Sequence, residues 1–74
     1  MSLAPPETWP GADGNPISCR EKVKVLAENH VELAQVMRDA FEDAVLMGVD
    51  EAALRRLLTS MVEALPSPKR KPGA

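Results

Sequence analysis

Aromatic side chains are nearly missing from this sequence: Trp9 and Phe41 stand alone, and there is no tyrosine. That removes the stacking platforms on which single-stranded nucleic acid is usually held. Cysteine occurs once, at Cys19, so no disulfide can close within the chain. One Cys and one His cannot fill a closed four-ligand zinc site, and neither a metal nor any other cofactor is expected. No apolar run is long enough to span a bilayer. Neither sign of charge dominates, the formal net charge being -2, so bulk charge selects no polyelectrolyte partner. Gly-rich phosphate loops, nucleophile elbows and His-Glu-x-x-His motifs are missing too, and no catalytic residue is assigned. A non-enzymatic protein is the expectation.

What is present is helical periodicity. Cys19, Val23, Leu26, His30, Leu33, Met37, Ala40, Ala44 and Met47 follow one another at alternating steps of four and three. Such spacing draws one nearly straight seam down a helix. Ala27, Val31, Ala34, Phe41 and Val45 widen that seam by a second row. The spacing predicts a long helix over about 18–47, begun by a Ser18–Glu21 capping box or by Asn15 followed by Pro16. Gly48 suits the left-handed residue that ends it. A second helix is predicted over about 51–65, with Asp50 as N-cap and Val49 stapled to Leu54. Leu54, Leu57, Leu58, Met61 and Leu65 give it an amphipathic face, and Pro66 stops it.

The connection between the helices is too short for anything but a reversal, so the fold class is all-α, an antiparallel helical hairpin. It is flanked by an extended or disordered arm over 1–16 and a basic, Pro-rich disordered tail over 66–74. Trp9 is the arm's one large apolar group. It either moves with the arm or folds back over the helices.

The second helix is about half the length of the first. Folded back, it sets Leu54 near Ala44, Leu58 near Ala40, Met61 near Met37 and Leu65 near Leu33, with Arg55 and Arg56 near Asp39 and Asp43. Cys19, Val23, Leu26, Ala27, His30 and Val31 then form an apolar strip that the hairpin leaves uncovered. A core of this size supplies only about 3–5 kcal/mol, and a partner subunit is a common remedy. The strip is met by Trp9, by a second copy in a dimeric four-helix bundle, or by a foreign helix.

Chemically distinctive residues are few. Cys19 lies in the first helical turn beside cations, the setting of a reactive thiol, and is the candidate redox residue. His30 is a seam position suited to a polar contact or a ligand. Eleven residues, about 16 Å along a helix, separate the two, so they form no dyad. Arg20, Lys22 and Lys24 sit at the positive end of the helix dipole and are the candidate anion contact. Lys69, Arg70 and Lys71, beside Ser67-Pro68, make a short basic patch of little specificity for nucleic acid.

The expected function is a small interaction or regulatory module working through the strip, as a homodimer or with a protein partner. An accessory subunit of a larger assembly, or a thiol- or ligand-responsive sensor using Cys19 and His30, are the alternatives. Pro5, Pro6 and Glu7 lack the order of a signal peptide, and a reducing, cytoplasmic compartment is expected.

Overall fold

A computed structural model of the chain describes residues 3–69; Arg70 and Lys71 of the basic patch lie outside them. Two helices, α1 (Arg20–Leu46) and α2 (Glu51–Glu63), make up the regular structure. Among the described residues there is no strand, only an isolated antiparallel bridge between Pro10 and Pro16. The chain is all-helical and its two helices are consistent with a helical hairpin. It divides into two compact units, Met1–Ala40 and Phe41–Ala74, with the boundary inside α1.

In the first unit, residues 9–17 close into a loop. The Gly11 N–H donates to the Asn15 carbonyl at 2.8 Å, and the Ile17 N–H donates to the Trp9 carbonyl at 2.8 Å. Asp13 caps the bend by accepting the Asn15 N–H at 3.0 Å. A glycine is required at position 11, because a Cβ there would collide with the Asn15 carbonyl oxygen.

This closure shifts the start of α1. The sequence places the cap at Ser18 or Asn15, but the helix begins at Arg20. The Ile17 N–H is committed to Trp9, which holds 17–19 outside the helix, and the Cys19 carbonyl takes the first helical bond, from Val23, at 3.0 Å. Cys19 is therefore the residue in the N-cap position.

In the second unit, α1 ends in a Schellman motif. The Val49 N–H donates to Ala44 and the Gly48 N–H to Val45, both at 3.0 Å, with Gly48 at φ 104°. Asp50 then caps α2, its carboxylate accepting the Ala53 N–H at 2.8 Å. The helix stops at Glu63, two residues short of the expected end, because Leu65 precedes Pro66 and is disfavoured in the α region. Leu54 is the buried hydrophobic residue among those described, 9% exposed. Arg55, expected beside Asp39 and Asp43, holds its guanidinium 4.7 Å over the centre of the Phe41 ring.

Candidate functional site

The loop of the first unit delivers Trp9 to α1. Its indole stands edge-on to the imidazole of His30, with centroids 5.8 Å apart and planes at 72°. This is the geometry in which a ring edge meets a ring face. Trp9, Val23, Leu26, Ala27 and His30 are all half-buried, and Val31 and Cys19 are exposed. So the strip read from the sequence is already partly covered where Trp9 reaches it. His30 Nδ1 is buried and has no hydrogen-bond partner.

A more open surface lies on another side of the same helix. Val25, Leu33 and Val36 are 55%, 59% and 66% exposed, and Met37 is 38% exposed. Val25 and Val36 belong to neither apolar row of the sequence reading. A row does run through them: Lys22, Val25, Asn29, Leu33, Val36 and Ala40 recur at steps of three and four. It is less conspicuous because a lysine begins it and an asparagine interrupts it. Beside Val25 the surface dips into an open groove lined by Ile17, Glu21, Lys22, Val25 and Leu26.

The second unit also presents apolar side chains. Leu57, Met61 and Val62 of α2 are each more than half exposed, as are Leu46 and Met47 at the end of α1. Thr59 and Ser60 turn their hydroxyls inward onto the carbonyls of Arg55 and Leu57, at 2.8 and 2.7 Å, and add little polarity to that surface.

Cys19 is free and exposed. Backbone hydrogen bonding from Lys22 holds its thiol below the usual value against an opposing desolvation, aided by the Glu21 backbone and the Lys22 charge. His30 takes no part in this; its ring is engaged by Trp9. Arg20, Lys22 and Lys24 are exposed. Among the described residues no group of His, Cys, Asp and Glu is arranged to hold a metal ion, and no helix is long and apolar enough to cross a membrane. Lys69 is exposed, its backbone N–H donating to the Ser67 hydroxyl at 3.2 Å. Comparison of the chain with family models, curated proteins and solved structures finds no match.

Proposed function

We propose that this protein is a small, non-enzymatic interaction module of the cytoplasm that works by self-association, the apolar surface of α1 forming the centre of a dimeric four-helix bundle. The observation that carries this reading is the imbalance of burial. Leu54 is the buried hydrophobe, whereas Val25, Leu33 and Val36 on one helix, and Leu57, Met61 and Val62 on the other, keep more than half their surface in water. A buried aliphatic side chain contributes about 1.5–3 kcal/mol, so one of them among the described residues falls short of what an independent fold needs. Large contiguous apolar surfaces on small chains mark places where another molecule sits.

Part of the strip from Val23 to His30 is occupied by the chain's own Trp9, so the outward row through Val25, Leu33 and Val36 is assigned the leading role. Sedimentation equilibrium of the wild-type chain tests this. Association that Val36→Asp weakens, with helicity kept, supports the reading, and a chain that stays monomeric up to millimolar concentration refutes it.

A thiol-responsive role is the second reading, favoured by one observation: Cys19 is exposed and held toward its thiolate at the start of α1. It rests on Cys19 without His30.

A further inference from the structure

The 9–17 loop turns on an Asp-Gly step. Asp13 and Gly14 are both exposed, and Gly14 sits at φ 90° with open space where a side chain would stand. The Asp13 carboxylate accepts the Asn15 N–H at 3.0 Å. That bond folds the carboxyl back across the Gly14 peptide and encloses it in a ring. A carboxyl held over the next peptide nitrogen, with no side chain on the following residue to hinder it, is placed to cyclise on its own backbone.

We propose that Asp13 is a site of spontaneous aspartyl isomerisation, and that this change releases Trp9 from α1. The Gly14 nitrogen attacks Cγ of the Asp13 carboxyl in its acid form. The N–Cγ bond forms, the C–OH bond breaks, and the nitrogen's proton leaves with the hydroxyl as water. Water then adds to one of the two carbonyls of the five-membered imide. Cleavage at Cγ returns aspartate. Cleavage at the main-chain carbonyl leaves isoaspartate, in which the chain runs through Cγ and the former main-chain carbonyl is a free carboxylate. The mass is unchanged, and neither oxidant nor reductant takes part.

The rest of the sequence singles out this position. The other aspartates precede Ala40, Ala44 and Glu51, and none precedes glycine. Asp39 and Asp43 lie within α1, whose hydrogen bonding fixes the peptides that follow them. Asp50 is held as an N-cap by the Ala53 N–H at 2.8 Å. Asn29 is also within α1, and Asn15 precedes Pro16, whose nitrogen carries no hydrogen to lose.

The loop's own bonds set the consequence. An imide nitrogen carries no hydrogen, so the 3.1 Å bond from the Gly14 N–H to the Gly11 carbonyl is lost on cyclisation. Isoaspartate then adds one main-chain atom to a segment whose ends are tied by the Gly11 N–H and the Asn15 carbonyl at 2.8 Å. The backbone approach at Gly11 is already too close for a Cβ, so the longer span does not fit that closure. The next bond outward, Ile17 to Trp9, is the one that sets the indole beside His30.

Ageing the folded chain at 37 °C and pH 6 tests both halves. Isoaspartate is read by enzymatic methylation with labelled S-adenosylmethionine and placed by peptide mapping. It should accumulate at Asp13 at least as fast in the native chain as in urea. Trp9 emission should shift to the red in step with it, with helicity kept. Asp13→Glu, whose larger imide forms far more slowly, should hold its starting emission throughout. Slower isomerisation in the native chain than in urea overturns the site, because the fold would then protect Asp13. Isoaspartate that accumulates with no shift in emission overturns the release of Trp9.

Discussion

Trp9 stands edge-on to His30, 5.8 Å between ring centroids, and the His30 Nδ1 atom is buried there without a hydrogen-bond partner. The pair ties the N-terminal loop to α1 and leaves a polar atom unpaid. His30→Phe keeps a ring face for the indole and removes the stranded nitrogen. It should therefore stabilise the first unit by about 1 kcal/mol, against the usual sense of core substitutions. Urea unfolding followed by Trp9 emission measures this, with no other Trp or Tyr contributing. Destabilisation by His30→Phe would mean that Nδ1 is satisfied after all.

The loop that carries Trp9 depends on close backbone approach at Gly11. Gly11→Ala pushes a methyl group into the Asn15 carbonyl oxygen and opens the hydrogen bond between them. The expected outcome is a red-shifted Trp9 emission and faster exchange of the Ile17 amide, with the helicity of α2 unchanged. An unaltered emission spectrum would show that the loop does not hold Trp9 in place.

The thiol of Cys19 should be alkylated at a lower pH than an unstructured cysteine, whose ordinary value is 9.0. The cause is local: hydrogen bonding from the Lys22 backbone, then the Glu21 backbone and the Lys22 charge, favours the thiolate. Because the folded-state value lies below the unfolded one, the thiolate's contribution to stability is complete above the ordinary value and fades as pH falls through the folded value. Iodoacetamide rates measured from pH 6 to 10, native and in urea, check the direction. Coincident profiles would contradict it.

In the second unit the stability is concentrated in a few groups. Leu54→Ala should cost about 2–4 kcal/mol, since Leu54 is the buried side chain there. Asp50→Ala should cost about 1 kcal/mol through loss of the bond to the Ala53 N–H. Thermal unfolding by circular dichroism reads both, and an Asp50→Ala effect as large as that of Leu54→Ala would mean that capping, not burial, holds α2.

The helices were legible because their signals are local. The 3–4 periodicity around Leu26 and Leu33, the Asp50 cap and the Gly48 stop each act within a turn of where they stand. The start of α1 was not, because the Ser18–Glu21 box is sound chemistry in isolation and loses to a non-local bond, Ile17 to Trp9. Trp9 could be named as a candidate cover for α1, but its partner could not, since nothing in the loop sequence specifies His30. Val25 and Val36 are inconspicuous in the sequence for a different reason. The densest apolar row of α1 is the seam through Leu26, His30 and Leu33, and theirs is broken by Asn29.

Sedimentation equilibrium of the wild-type chain beside Val36→Asp, at matched helicity by circular dichroism, reaches the central claim most directly. The outward row of α1 requires a reversible dimer for wild type and a shift toward monomer for Val36→Asp. A wild-type chain that remains monomeric while fully helical at millimolar concentration would contradict it, because Val25, Leu33 and Val36 would then be stable in water on their own.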